Sequence, residues 1–512
     1  MEIVKDILKV EEQKGYEGIE SLVETEVYLN QTKPDIGSIL WADGKIEILS
    51  TKIIKDKILV NGLVKFKVVY KSTEEELNIY TLETNKDFRE EIEIEGINES
   101  MTCQVKSNLE HIEYEVEDER KVSLKAFVNL WGRVEDTNSV EIIKEVKEGS
   151  NLQVLKEKIK YNEVLNRDES YALIKEAFEV GEDEPAIEEV LKIDIHPYER
   201  EYSISADRLI LSGVVETSII YFGDNKLNSI NKEVPFTHFI ELDSLQEPRC
   251  QIHMEVVDGS YEIRENLEGE PKLLDMEIKV KVHTKLYQQR EEEVIIDAYS
   301  TSKLINLEME EINIMENIKD IVDRENIGKD IRDRGFKEIY AVHGNSTIIS
   351  SDYVEDKIML EGLLSLNIYY LDEASGEITT LKEEVPYKSY VTADGLGKDI
   401  IIDVVTDLED LKYNLVDNSL SINGTVKNHI FINRQRRINI VGEIEETDEL
   451  IDKKNRPSII VYIVQKDDNL WDIAKRYNTT MDEIIESNNI ISPSTLMPGE
   501  KIIIEKKIDI DF

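Results

Sequence analysis

The sequence predicts a mainly β chain, with three repeated antiparallel β-rich domains in tandem followed by a small β-α-α-β module. Three observations carry this prediction. One seven-residue segment occurs three times at nearly constant spacing, and each occurrence opens a stretch of apolar alternation with period two. Near the C-terminus the periodicity changes to that of short helices.

The segment Asp56-Lys-Ile-Leu-Val-Asn-Gly62 returns as Asp207-Arg-Leu-Ile-Leu-Ser-Gly213 and as Asp356-Lys-Ile-Met-Leu-Glu-Gly362. The glycines are 151 and 149 residues apart, and each is followed eight positions later by a tyrosine: Tyr70, Tyr221 and Tyr370. Further on, Lys232-Glu-Val-Pro-Phe236 matches Glu383-Glu-Val-Pro-Tyr387, while the first copy keeps only Asn85-Lys-Asp-Phe88. A later tyrosine recurs as Tyr114, Tyr261 and Tyr413. Coincidences in register at this density define a repeat.

Its local chemistry is that of a strand. Ile58, Val60, Val64, Phe66 and Val68 share one face of a period-2 pattern, and β-branched and aromatic side chains suit a pleated surface. Gly62 inside that pattern implies a bulge or a close backbone approach. The aspartate before each strand fits a turn, where its carboxylate accepts from nearby backbone N–H groups. Alternation also marks Ile278–Val282 and Leu420–Val426, near the ends of the second and third copies. Each copy is therefore expected to be an antiparallel sandwich or sheet of about 110–130 residues. The domains are placed at 1–140, 171–302 and 333–446. Between them, residues 141–185 and 303–335 lose alternation and gain Glu, Lys, Leu and Ile. They read as connectors or domain edges, with a short amphipathic helix within Lys303–Arg334.

The last module is placed at 458–506. Tyr462-Ile-Val464 reads as a strand, and Leu470, Ile473, Ala474 and Tyr477 lie on one helix face. Asn469 is its N-cap, and Asp472 lies at the positive end of the helix dipole. Thr480-x-x-Glu483 is a capping box opening a second helix that buries Met481, Ile484 and Ile485. A loop with Pro493, the turn Pro498-Gly499 and a strand at Lys501–Ile504 complete it.

Charge narrows the partners. There are 108 acidic and 62 basic residues, a net charge of -46, which repels nucleic acid and anionic membranes. The start, Met1-Glu-Ile-Val-Lys-Asp, lacks the basic and apolar regions of a signal peptide, and no apolar run suits a transmembrane segment. The expectation is a chain that stays in the cytosol of the cell that makes it. Cys103 and Cys250 alone cannot build a disulfide framework and read as two buried thiols. The seven histidines, at 111, 196, 238, 253, 283, 343 and 429, lack metal-ligand spacing. No phosphate-binding Gly-rich loop or nucleophile elbow occurs, and paired carboxylates are uninformative in so acidic a chain. No catalytic residue, metal or cofactor is expected.

The pattern Tyr462-Ile-Val-x-x-x-Asp468-x-Leu470-Trp471-x-Ile473-Ala474, then Asn488 and Leu496-x-Pro498-Gly499-x-x-Ile502-x-Ile504, resembles the LysM module. LysM modules typically bind N-acetylglucosamine-containing glycans in a shallow groove between two loops. The resemblance implies a groove lined here by Asp467, Asp468, Asn469 and Leu470 on one side and by Ile491, Leu496 and Pro498 on the other. The usual Gly-Asp-Thr is Asp467-Asp468-Asn469 here, and a side chain replaces the glycine at the first position. Glycan contact and protein contact both remain open for this groove.

Three such repeats ahead of one LysM module resemble the spore-coat morphogenetic LysM proteins of endospore formers, whose repeats are called SPOCS domains. The resemblance implies a non-enzymatic structural role that starts in the mother-cell cytoplasm and ends at the forespore surface, in the spore coat. It implies that the LysM module docks onto the coat basement-layer ATPase, of the stage IV sporulation protein A type, and that the repeats link other coat proteins. The alternative is a cell-wall protein binding peptidoglycan or chitin-type glycan.

Overall fold

The computed structural model describes residues 2–73, 79–147, 151–205, 207–242, 248–397, 399–452, 455–490 and 496–506. The first repeat is built from β1 (Glu2–Tyr28), β2 (Ile36–Ile54), β3 (Lys57–Ser72), β4 (Ile79–Glu93), β5 (Thr102–Asp118) and β6 (Lys121–Lys147). The second has β7 (Leu152–Glu179), β8 (Glu189–Ile204), β9 (Arg208–Gly223), β10 (Lys226–Glu241), β11 (Arg249–Arg264) and β12 (Leu273–Ser300). The third has β13 (Lys303–Ile331), β14 (Phe336–Val354), β15 (Lys357–Asp372), β16 (Ile378–Thr392), β17 (Ile400–Val416) and β18 (Ser419–Leu450).

Every repeat folds the same way. Its second, third and fourth strands form one antiparallel sheet, and its first and fifth flank the sixth in another. The alternating side chains of the two sheets meet face to face. In the first repeat Ile58, Val64, Phe66 and Tyr70 pack against Val122, Leu124, Val128 and Leu130. The chain is mainly β with three tandem repeats, as its periodicity predicts.

The repeated glycine and the repeated aromatic turn out to be one device. Gly62 lies opposite Phe88, Gly213 opposite Phe236, and Gly362 opposite Tyr387. None of the three glycines has positive φ, but a Cβ on any of them would overlap the facing ring. The bare backbone is a seat for the aromatic of the next strand. The aspartates ahead of these strands sit in the turns, with φ 61° at Asp56 and 60° at Asp356. Their carbonyls tie the end of the following strand: Asp56 accepts from Ile94 N at 3.0 Å, Asp207 from Leu242 N at 2.8 Å and Asp356 from Ala393 N at 2.9 Å. Gly213→Val is expected to destabilise the protein by about 1–3 kcal/mol through overpacking. Denaturant unfolding checks this, and a loss of only a few tenths would mean the ring can move aside.

The segments expected to be connectors are instead parts of the long strands. Residues 141–185 contain the end of β6 and all of β7, and 303–335 contain β13, so the short helix expected in Lys303–Arg334 is corrected to strand. The repeats span 2–147, 152–300 and 303–450. Boundaries at 140 and 171 fall inside β6 and β7, one at 333 leaves β13 outside its repeat, and one at 446 cuts β18.

The physical reason is a bulge in the same place in each repeat. The pairing register skips Lys14 in β1, Leu165 in β7 and Ile318 in β13. One extra residue reverses which parity faces inward. Before the bulge the inward residues are Leu8 and Val10, Ile159 and Tyr161, Ile312 and Ile314. After it they are Val23 and Val27, Ile174 and Phe178, Ile327 and Ile331. The second set belongs to each repeat's own sandwich. The first set, with Val140, Ile142, Val294, Ile438 and Ile440, forms a common core to which all three repeats contribute. The paired first and last strands of each repeat, β1/β6, β7/β12 and β13/β18, touch the other two pairs, giving a three-ribbon stem with quasi-threefold symmetry.

Polar contacts lock the same junctions. Glu11, only 1% exposed, meets Lys285 at 2.7 Å and also Arg167, and Arg167 reaches Glu135 at 2.5 Å. Burial opposes ionisation of Glu135, but Lys285 and Arg167 hold its carboxyl well below the usual range. Nearer the sandwiches, Lys192 pairs with Asp43 and, at 3.0 Å, with Asp194, and Asp194 pairs with His343. Asp43, Asp194 and His343 occupy equivalent register positions, opposite Lys67, Ser218 and Asn367.

Beyond the third repeat come β19 (Ile459–Ile463), α1 (Leu470–Arg476), α2 (Met481–Asn488) and β20 (Lys501–Glu505), with β19 and β20 paired antiparallel. Both helix caps are those read from sequence. Asn469 Oδ1 accepts from Asp472 N at 2.8 Å, and Thr480 and Glu483 form the capping box.

Candidate functional site

The two loops of the C-terminal module are drawn together at Val464. Its N–H donates to Glu500 O at 2.9 Å, and its carbonyl accepts from Gly499 N at 2.8 Å. The Pro498-Gly499 turn, with φ 90° at the glycine, thus sits beside the loop leading into α1. Asn488 clamps the far strand, accepting from Ile503 N at 2.7 Å and donating to Ile503 O at 2.6 Å.

The groove residues expected from sequence have different local roles. Asp467 is exposed and takes φ 68°, the left-handed conformation that favours glycine. The loop keeps its shape, with a carboxylate added at the rim. Asp468 is occupied internally: its Oδ2 accepts from Tyr462 OH and from Gln465 N, each at 2.7 Å. Those bonds hold its carboxyl below the ordinary range, the Tyr462 hydroxyl first. Asn469 is spent on the helix cap. Leu470 is 4% exposed and belongs to the module's core, and Leu496 is half-buried against that core. Pro498 is exposed. Ile491 lies outside the described residues. Met497, 71% exposed between Leu496 and Pro498, is the large apolar side chain that the described residues of this rim present, and sequence reasoning passed over it.

A second feature had no signal in the sequence. The module does not hang free; α1 is fastened to the second repeat near the end of β12. Trp471 Nε1 donates to Asp297 Oδ2 at 2.8 Å, and Lys475 Nζ reaches both Asp297 oxygens at 2.6 and 2.7 Å. Tyr299 stacks edge-on to Trp471, with centroids 4.8 Å apart, and donates through its hydroxyl to Thr479 O at 2.8 Å. Leu155 of β7 packs against the same core. A second bulge, skipping Lys144, Ile296 and Gly442, makes Glu145 and Glu443 the counterparts of Asp297. The counterparts of Tyr299 are then Lys147 and Glu445, which carry neither the ring nor the hydroxyl. Among the described residues only the second repeat offers this seat.

Among the described residues no group of three or more His, Cys, Asp or Glu is arranged to hold a metal ion, and no helix is long and apolar enough to cross a membrane. Cys103 and Cys250 are free thiols in equivalent positions, opposite Val134 and Leu286, and burial pushes the Cys250 thiol up to about 12.

Comparison with known families matches the SipL, SPOCS domain at residues 35–117, 186–264 and 336–416, and the LysM domain at residues 462–505. No curated protein and no solved structure matches the chain. The three SPOCS stretches take in the second to fifth strands of each repeat and leave the long first and sixth strands outside. Both domain types are binding or structural rather than catalytic, and together they support a sporulation-associated protein with a module of the glycan-binding kind. The chain carries three SipL-type SPOCS domains ahead of one C-terminal LysM domain.

Proposed function

We propose that this protein is a non-enzymatic assembly protein of the spore coat. Its LysM groove docks onto the coat basement-layer ATPase, of the stage IV sporulation protein A type, at the forespore, and its repeats link further coat proteins. The observation that carries this reading is the fusion of three SPOCS repeats through one stem, with a single LysM module seated on it. Such a body offers several similar surfaces at fixed separations, so weak contacts add through effective concentration. The protein would act in the mother-cell cytoplasm and then at the forespore surface.

Capture of the purified ATPase by the full chain tests this. Met497→Glu replaces the exposed apolar rim residue with a charge and is expected to weaken capture about tenfold or more, the loss of one hot-spot contact. The module's fold should survive, because Met497 faces solvent.

The left-handed Asp467 favours a second reading, in which the groove still admits peptidoglycan or chitin-type glycan. Asp467→Gly then removes the rim carboxylate without changing loop shape and should raise glycan affinity. A wild-type chain that binds such oligomers tightly and ignores the ATPase would replace the docking reading with the glycan one.

A further inference from the structure

The outer edge of β19 carries neither a charge nor a proline. Lys506 N donates to Ser458 O at 3.0 Å and Val464 N to Glu500 O at 2.9 Å, so even-numbered residues of this stretch face β20. In an antiparallel pair the intervening residues turn their backbone groups the other way. Those are Ile459, Val461 and Ile463, and among the described residues β19 pairs with no strand but β20. Their side chains are 58, 58 and 50% exposed, and Ile503, opposite Val461, extends the same apolar face at 38%. Outward polar groups and an exposed apolar stripe therefore coincide on three residues.

Three edge strands of the repeats are guarded. The exposed side of β4 carries Glu83, Asp87, Arg89, Glu91 and Glu93, and that of β16 carries Lys382, Glu384 and Lys388. Pro235 and Pro386 interrupt the donor rows of the edge strands β10 and β16. Charges and prolines of this kind prevent edge-to-edge pairing, and β19 has neither.

We infer that β19 pairs antiparallel with β19 of a second copy of this chain, through a twofold axis at Val461. The strand is self-complementary about that residue. Val461 meets Val461, and Ile459 of each copy meets Ile463 of the other, with no charge placed opposite a like charge. The pairing joins two LysM sheets into one four-stranded sheet and sets the two apolar stripes side by side on one face, where opposed side chains touch. One carbonyl on this edge, Ile463 O, already accepts from Gln465 Nε2 at 2.8 Å, so the pairing ends there. Charge favours this end of the molecule for self-contact. Residues 458–512 hold 10 acidic and 6 basic residues, a net of -4, which leaves -46 + 4 = -42 on the rest of the chain. The module is seated on the second repeat through α1, so the β19 edge is not consumed by that contact. This surface is separate from the groove and does not depend on what the groove binds.

Sedimentation of the full chain over a concentration series tests the inference. The wild type should show a reversible monomer–dimer equilibrium, and Val461→Lys should be monomeric throughout, with circular dichroism unchanged because residue 461 is exposed. Val461→Cys gives a second readout that needs no loss of fold. A hydrogen-bonded antiparallel pair holds opposing Cα atoms ~5.5 Å apart, within disulfide reach. Oxidation should therefore yield a covalent dimer of Val461→Cys and none of Leu49→Cys, which is similarly exposed at 56% on β2. A wild type that stays monomeric at every concentration overturns the inference. So does a dimer that persists in Val461→Lys.

Discussion

A fragment of residues 333–446 will not fold alone, although its ends look natural in the sequence. It lacks β13, one of the three strands in its second sheet. With β13 go Ile312, Ile314, Met315, Ile327 and Ile331, all at most 8% exposed in the whole protein. Burying an aliphatic side chain contributes about 1.5–3 kcal/mol, so losing Ile327 and Ile331 from the repeat's own core removes a large part of the roughly 5–15 kcal/mol that hold a typical domain together. Extending the fragment to 303–450 restores the sheet, but it still bares the stem face of Ile312, Ile314, Ile438 and Ile440. Circular dichroism and denaturant unfolding should show no cooperative transition for 333–446. A sharp transition from that fragment would mean that the long strand is dispensable.

The second large effect is expected from Ile314→Asp. Ile314 is 0% exposed in the common core, where residues of all three repeats meet. A carboxylate there has no ionic partner in that apolar cluster and cannot keep its water. An uncompensated buried charge costs about 3–5 kcal/mol, against about 0.5–1.5 kcal/mol for Ile314→Val. The aspartate variant should separate the repeats. The expected signs are a broader, multi-step unfolding curve and protease cleavage within the stem strands, with the individual sandwiches outlasting the stem. If Ile314→Asp and Ile314→Val unfold within a few tenths of a kcal/mol of one another, the stem is not what joins the repeats.

Much of the sandwich could be read from the residues. Gly62 and Phe88, Asp56, Tyr70 and their counterparts mark turns, seats and buried faces that lie within one sheet or one turn of each other. The caps Asn469 and Thr480 were equally legible, because a cap is a contact between near neighbours in sequence. The long strands were not. Alternation in β7 and β13 changes phase at Leu165 and Ile318, and a pattern that switches parity midway loses its period-2 signal over the whole window. Two environments share each of these strands, the repeat's own sandwich at one end and the shared stem at the other. The LysM seat was hidden for a different reason. Asp297 and Trp471 are 174 positions apart, and an aspartate or a tyrosine in so acidic a chain announces nothing until the fold brings it to the module. In the groove, Leu470 and Asp468 carry the family pattern because they build the module, so a match at those positions says little about what the groove touches.

The seat on Asp297 and Tyr299 changes what kind of joint the C-terminus is. The eight residues 451–458 between β18 and β19 would, as a free tether, let the module wander with a root-mean-square span of about 15 Å. Fastened through α1, the module becomes a bracket with a set angle. Whatever it grips then inherits a direction as well as an address. A sheet of such molecules on a curved surface would stand at one height and one tilt, so the spacing between the layers it joins would be dimensioned by the stem. Loosening the Asp297 contact would leave adhesion intact while letting that spacing drift.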